Sequence, residues 1–524
     1  MRTLVLRQPL AANPPKASIP IPNPPRISSS MEAAGRKRRK VCPTMEQKAQ
    51  KKTATEASRA AEEEKVKKRT AVKASARQCH REEMESGSTL GDIEDFSADE
   101  AQRIRAALLR WYDVHRRVLP WRTASSGDIR GNGEEGKEVD QERAYAVWVS
   151  EVMLQQTRVQ TVIAYYNRWM DKWPTVHHLA SASQEEVNEM WAGLGYYRRA
   201  RFLLEGAKSI VQEGEFPRTA SELRKVRGIG DYTAGAIASI AFNEAVPVVD
   251  GNVVRVISRL KAISANPKKS TTVKGIWKLA SQLVDPLRPG DSNQAMMELG
   301  ATMCSTTSPG CSACPISEAC LALSLSRSSG STDVTDYPSK AAKTKQRHDF
   351  AAVCVVQLTE GSDEESLRGR NNNDMLLLVK RPEEGLLAGL WEFPTVLLDE
   401  EVMDVGTRRK IVDKYLKELF HTDLKEICNV ILRENVGKYV HIFSHIRLHM
   451  HVELLILKLK GGLRQFSENI QCTSAWKCVD GKSMENMGLT SGVRKVYNMI
   501  QDYKKKQLLQ CPMLSRRKKC KSSI

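Results

Sequence analysis

Two carboxylates sit where acid–base chemistry could be done. Glu151 lies in Trp148-Val149-Ser150-Glu151-Val152-Met153-Leu154-Gln155-Gln156-Thr157, a strongly apolar helical stretch. On a helix, its neighbours three and four residues away include Trp148, Leu154, Val147 and Gln155. A carboxyl beside apolar groups has a raised pKa and can act as an acid. Asp250 follows the short apolar run Val246 to Val249 and opens another helix. Backbone donors and the positive end of the helix dipole should keep it ionised there. Two carboxyls pushed apart in pKa are the pattern of an acid plus an anion at a sugar C1′ centre. Read as residues alone, plainer roles stay open: Asp250 as a helix cap, Glu151 paired with a surface arginine.

A second cluster points to metal. Cys304, Cys311, Cys314 and Cys320 have the spacing C-x6-C-x2-C-x5-C. Four thiolates in so short a loop suit zinc or an iron–sulfur cluster. The chain has twelve cysteines in 524 residues, unevenly spread, which is not a disulfide framework, so the thiols read as reduced.

These groups need positioning, and the stretch Leu223 to Leu260 is organised to supply it. Gly228-Ile229-Gly230 is a tight turn between two helical patterns, with the helical face Ala234, Ile237, Ala238, Ile240 and Ala241 after it. The two glycines allow a positive φ and bring backbone N–H groups to the surface. The following helix N-terminus favours an anion such as phosphate. An ordinary helical hairpin shows the same turn.

Composition agrees with a polyanionic partner. The formal net charge is +19, from 81 Lys+Arg against 62 Asp+Glu, although basic tails alone could produce it. No run of eighteen apolar residues is present, so no membrane helix is expected. Residues 1–95 read as a disordered basic region. The first thirty contain four basic residues and no Asp or Glu, which fits an organellar transit peptide and a plain polar tail equally. Arg36-Lys37-Arg38-Arg39-Lys40 reads as a nuclear localisation patch, with a nonspecific basic arm as the alternative. A nuclear address, with one in the mitochondrion or another DNA-containing organelle beside it, is the expectation.

Order should begin at Ser97, with Ser97 and Glu100 as a capping box ahead of Ile104, Leu108 and Trp111 at helical spacing. Leu119-Pro120-Trp121-Arg122 follows, then a polar, Gly-rich insertion to about Glu142, expected to be a loop. Residues 96–325 read as an all-α domain and 326–347 as a Ser/Thr/Lys-rich linker. From 348 to 505 the period changes. Ala351–Leu358, Met375–Val379 and Val452–Leu459 are β-rich and Arg408–Leu419 is helical, which predicts a smaller α/β domain, followed by a basic tail at 506–524.

Taken together, the helical region resembles the adenine DNA glycosylases of the helix-hairpin-helix superfamily. The residues that carry the resemblance are Leu119-Pro120-Trp121-Arg122, the Trp148–Thr157 stretch, Gly193-Leu194-Gly195-Tyr196-Tyr197 and Val249-Asp250-Gly251-Asn252. It implies base excision of adenine opposite 8-oxoguanine or guanine in double-stranded DNA. Glu151 would protonate adenine N7, and Asp250 would stabilise or capture the oxocarbenium-like sugar, with Tyr232 and Asn252 hydrogen-bonding beside them. Gly228, Ile229 and Gly230 would hold a DNA phosphate. Gln156, Thr157, Leu194 and Tyr196 would contact DNA, with Gln156, Leu194 and Tyr196 as wedges, or Leu194 as simple core. Leu119, Trp121 and Arg122 would line the adenine pocket. The cysteines would hold one four-iron four-sulfur cluster.

Tyr232 replaces the lysine of the endonuclease-III-like relatives. A phenol cannot form a Schiff base, so excision without strand cleavage is implied. A bifunctional lyase on oxidised pyrimidines and a non-catalytic damage-binding protein are the rivals. The gap from Arg122 to Tyr145 is longer than the family pattern.

Leu386-Leu387-Ala388-Gly389-Leu390-Trp391-Glu392-Phe393-Pro394 resembles the family's Nudix-like domain. The segment after Pro394 lacks the Arg-Glu and Glu-Glu pattern of a pyrophosphohydrolase, which implies a recognition module. Phe443-Ser444-His445 matches the loop that senses 8-oxoguanine; a buried strand end would look the same. A monomer, with unidentified repair or replication partners, is expected.

Overall fold

The computed structural model describes residues 94–122, 134–340, 346–360, 375–401, 404–469 and 475–510. The two targeting readings, residues 123–133 of the insertion and the tail from 511 lie outside them.

Helix α1 (Ala98–His115) starts at Ser97, whose hydroxyl accepts from the Glu100 amide at 3.1 Å. The reciprocal half of the expected capping box is not made. The Glu100 carboxylate turns to Lys261 at 3.1 Å, a partner invisible in the local sequence. Ala101, Ile104, Leu108, Trp111 and Tyr112 form the buried stripe of α1. Helix α2 (Glu134–Leu154) corrects the reading of the insertion: it begins well before Tyr145 and takes in residues expected to be a loop. Residues 134–144, EEGKEVDQERA, are mostly strong helix formers, and the apolar residues that follow anchor them. Asp140 pairs with Arg218 at 2.6 Å.

Next come α3 (Val159–Lys172), α4 (Val176–Ala180), α5 (Gln184–Trp191), α6 (Arg198–Glu213), α7 (Ala220–Leu223) and α8 (Asp231–Ala241). Then follow α9 (Gly251–Leu260), α10 (Ser270–Gln282) and α11 (Pro289–Thr302). The apolar side chains fall into two clusters. One joins α2, α3, α5, α6 and α8 around Trp148, Trp169 and Trp191. The other joins α1, α9, α10 and α11. Met297 of α11 touches both, which marks the seam between them.

The linker is partly built. Helix α12 (Leu321–Ser329) runs into it, and Ala322, Leu323 and Val334 bury together against Cys311, Cys320 and Tyr337. Within 326–347 the Ser/Thr content masked Val334 and Tyr337 as anchors. The Tyr337 carbonyl also accepts from Arg259 Nε at 3.2 Å.

The second domain is a seven-stranded mixed sheet. It holds β1 (Arg347–Thr359), β2 (Met375–Lys380), β3 (Trp391–Glu392), β4 (Thr395–Leu398), β5 (Cys428–Ile442), β6 (Ile446–Leu459) and β7 (Trp476–Val479). The main order is β3-β2-β1-β6-β5, with β4 on β1 and β7 on β2. Strands β1 and β6 are parallel, from Arg347↔Ile446 to Thr359↔Lys458. A parallel pair is usually covered on both faces. Here one face takes α13 (Val405–Phe420), the short α14 (Leu424–Ile427) and α15 (Gly462–Asn469). The other face takes α16 (Gly481–Asn486) and α17 (Ser491–Gln510). All of Ala351–Thr359 is therefore buried, matching a run that is apolar except for Gln357 and Thr359.

The two domains share core. Leu390, 3% exposed, belongs to the tryptophan cluster of the helical domain, and Leu387 packs beside it. Tyr197 Oη donates to the Leu489 carbonyl at 3.3 Å. A Cβ on Gly488 would stand 2.6 Å from the Glu189 nitrogen, so the backbones meet directly there.

Candidate active site

Glu151 sits in the last turn of α2 and Tyr232 in the first turn of α8, and these two helices pack together. Gly235 of α8 makes room for the segment that leads to Asp250: a Cβ there would meet the Pro247 carbonyl oxygen at 2.6 Å. Tyr232 Oη donates to Glu151 Oε2 at 2.5 Å. Glu151 is 6% exposed. Burial pushes its carboxyl up to about 7, a rise reinforced by the nearby Asp250 and opposed by the Tyr232 bond and the Arg122 charge. The surface-arginine alternative does not hold.

Asp250 is delivered by an extended segment that Asn293 of α11 pins. Asn293 accepts from the Val248 amide at 3.2 Å and donates to the Val246 carbonyl at 2.8 Å. Asp250 caps α9, accepting from the Val253 amide at 2.8 Å and from Asn252 Nδ2 at 2.7 Å. Burial raises its carboxyl above the usual range, and these hydrogen bonds hold the rise down. The expectation of a simply ionised cap omitted this burial. The two carboxyls face one cavity of about 390 Å³. Leu119, Trp121, Arg122, Gln156, Thr157, Tyr232 and Asn252 line it with them, so nine of the expected site residues converge there. The volume falls within the range of small-ligand sites.

The hairpin keeps its shape with one positive-φ glycine, not two. Gly228 has φ 90°, and a Cβ there would strike Phe202 Cβ at 2.5 Å, whereas Gly230 is extended with φ −96°. Leu223, Val226 and Ile229 turn inward, leaving Arg224, Lys225, Arg227 and the two glycines outside. Ile229 therefore offers only its backbone to a partner.

Of the three expected wedges, Gln156 and Tyr196 are exposed, Tyr196 by 52%. Leu194 is a correction: it is 6% exposed and packed in the helical core, because its loop turns it inward. Gln156 and Tyr196 have φ of 56° and 48°, a left-handed conformation that costs about 1–3 kcal/mol per non-glycine residue.

Cys304, Cys311, Cys314 and Cys320 come near enough to act on one another's charge. Burial pushes the Cys314 thiol up to about 11. Among the described residues, no three metal-ligating side chains are drawn in tightly enough to hold an ion, and the four cysteines form no disulfide. The donor set still fits a thiolate-bound group. Arg259, 2% exposed, donates to Cys304 Sγ at 3.1 Å and to the Ser305 carbonyl at 2.7 Å, which places a buried cation against the cysteine loop.

Residues 149–282 match the family of HhH-GPD superfamily base excision DNA repair proteins, and residues 369–499 match the NUDIX domain. The adenine DNA glycosylase of Arabidopsis thaliana is 56% identical over 430 residues, covering 78% of this chain and 66% of that protein. The adenine DNA glycosylase of Mus musculus is 39% identical over 471 residues, covering 82% of this chain and 84% of that one. The chain belongs to the adenine DNA glycosylase family. Among solved structures, a thermostable thymine-DNA glycosylase is 24% identical at a TM-score of 0.37, covering 44% of this chain and 99% of that one.

For a member of this family, three site residues were not visible in the sequence. Glu298 of α11, 1% exposed, bonds Arg117 Nε at 2.6 Å and Arg122 Nη2 at 3.0 Å, fixing the pocket arginine. Arg255 of α9 donates to Asn252 Oδ1 at 2.9 Å and to the Cys304 carbonyl at 2.8 Å, joining the cysteine loop to the Asp250 cap. Arg199 ties two loops together. Their partners lie from three to 181 residues away in sequence, so only a family alignment could have signalled them. In the second domain, Phe443, Ser444 and His445 form the turn between β5 and β6, and Ser444 and His445 are exposed, which disposes of the buried-strand alternative.

Proposed function

We propose that this chain is a monofunctional glycosylase that removes adenine mispaired with 8-oxoguanine or guanine in double-stranded DNA. The observation that carries it is the carboxyl pair in one cavity, Glu151 near neutrality beside a capped Asp250. An adenine turned out of the stack enters beside Trp121. Protonated Glu151 donates to adenine N7, which makes the base a neutral leaving group. The C1′–N9 bond breaks with its electron pair going to the base, and Asp250 offsets the positive charge left at C1′. Water then adds to C1′ and gives its proton to the carboxylate that Glu151 has become, which restores the acid. Tyr232 and Asn252 orient the two carboxyls throughout. No lysine stands among the described residues lining the cavity, which disfavours a lyase.

The hairpin amides would hold a backbone phosphate, with Gln156 and Tyr196 entering the stack. Cys304, Cys311, Cys314 and Cys320 would hold a four-iron four-sulfur cluster, which when bound braces the loop behind Arg255. Phe443, Ser444 and His445 would read the N7–H and C8 oxygen that distinguish 8-oxoguanine from guanine. The expected form is a monomer acting in the nucleus, with a mitochondrial pool and repair or replication partners.

The test is incubation with duplexes carrying each base opposite 8-oxoguanine, with and without alkali. Adenine should be lost from the A duplex alone, with strands broken only after alkali. Release of another base, or breakage without alkali, refutes the reading. Changing Phe443, Ser444 and His445 together to Ala should shrink the 8-oxoguanine:A over G:A rate ratio by roughly tenfold or more, the worth of one or two hydrogen bonds. An unchanged ratio places the lesion reader elsewhere.

A further inference from the structure

Arg199 is the least explained charge near the site. Burial holds its guanidinium down to about 10, and among the described residues no carboxylate pairs with it. Its hydrogen bonds go almost wholly to main chain, at the end of α2 with the loop after it and in a second, separate loop. Nη1 donates to the carbonyls of Val152 at 2.8 Å and Met153 at 3.1 Å, and also to that of Gln155. These are carbonyls at the C-terminal end of α2, which a cation suits. Nη2 donates to the carbonyls of Leu194 at 3.3 Å and Gly195 at 3.1 Å, and to Thr157 Oγ1 at 3.4 Å. The same guanidinium lies 5.1 Å from the Trp191 ring and 5.5 Å from the Tyr196 ring.

One loop ends in Gln156 and the other in Tyr196. Both are exposed, and both are held in the left-handed region that side chains other than glycine rarely adopt. Neither loop's own sequence explains why a glutamine and a tyrosine should stay there. A single planar fork that bonds both loops does explain it, and it also fixes the spacing between the two side chains.

We propose that Arg199 is a positioning residue that sets Gln156 and Tyr196 as a matched pair, so that opening of the DNA stack depends on it while proton transfer from Glu151 does not. The proposal rests on the reading of those two side chains as wedges. Lysine could keep the charge but not the fork, since its compact ammonium cannot reach carbonyls on both sides in plane.

The experiment uses the full chain and a mispaired duplex with 2-aminopurine beside the adenine, whose fluorescence rises when the neighbouring bases unstack. Arg199→Lys and Arg199→Gln are each compared with wild type for the rate of that rise and for the pH at which single-turnover excision falls off. The expected result is a rise slowed about tenfold or more, the effect of losing one or two charge-assisted hydrogen bonds, with the pH midpoint unmoved. An unchanged fluorescence rise, or a pH midpoint that moves with the rate, overturns the proposal, the latter because Arg199 would then act through Glu151. If Arg199→Gln does not fold, Arg199→Lys decides. Failure of both to fold would make Arg199 a residue of the fold only, and would overturn it too. A wild-type chain that unstacks the duplex but releases no adenine would sink the substrate reading without touching this one.

Discussion

The Tyr232–Glu151 bond gives the most direct check on the acid. In the proposed mechanism Glu151 must be protonated to act, so excision should fall as pH rises through about 7, where its carboxyl stands. Tyr232 donates to that carboxyl and so favours its charged form, lowering its pKa. Tyr232→Phe removes the donor and keeps the ring. The carboxyl should then hold its proton to higher pH, and the descending limb should move up. A hydrogen bond to a charged group is worth about 1.5–3 kcal/mol and a pH unit is ~1.36 kcal/mol, so the movement should be about one to two pH units. Glu151 is 6% exposed, so solvent screening takes little from this figure. Asp250→Asn should act in the opposite sense on whatever excision survives, because it removes the like charge that raises Glu151. The assay is single-turnover excision from an 8-oxoguanine:A duplex across a pH series. A midpoint that stays put or falls in Tyr232→Phe would refute Glu151 as the titrating acid.

Three more outcomes follow from the same geometry. A folded-state pKa of about 7 against an ordinary 4.5 means that Glu151 contributes stability below the lower value and loses it as pH rises through the higher one. Glu151→Gln should therefore be more stable than wild type above pH 7 by about 3 kcal/mol, with the advantage fading towards acid pH, as denaturant melts at the two extremes will show. Gly300→Ala places a methyl 2.6 Å from Asn252 Cβ, so the start of α9 must shift; excision should drop, with a stability loss of about 1–3 kcal/mol measured by thermal melt. Freshly purified protein should be yellow-brown with about four iron and four sulfide per chain, and Cys311→Ser should deplete both; stoichiometric zinc without visible absorbance would exclude the cluster.

How much was legible depended on where the partners lay. The α1 stripe, the hairpin and the cysteine spacing are local patterns, and the sequence displays them. Strand β5 was not read at all, although it is fifteen residues long. Its register slips between Val430 and Leu432 and again between Asn435 and Gly437, which breaks the period-two pattern that marks a strand. The start of α2 was hidden for another reason: its first residues are charged and carry no apolar stripe. Glu298 and Arg199 were hidden by distance, since a buried ion pair or a carbonyl clamp leaves no trace in the flanking residues. Leu194 failed at the finest level. Two residues on, Tyr196 points outward from the same turn, and only the backbone angles decide which of them does so.

Leu390 belongs by chain position to the sheet domain but by packing to the tryptophan core of the helices. Cutting the chain at the linker would not free two finished proteins. The catalytic half would be left with an open socket where a leucine had been, a defect of the kind that costs about 2–5 kcal/mol when such a side chain is trimmed to alanine. Damage in the sheet domain would accordingly surface as a melting defect of the helical domain. Inherited changes around residues 386–390 could then silence excision without altering a single atom of the catalytic pocket, by leaving less of the enzyme folded.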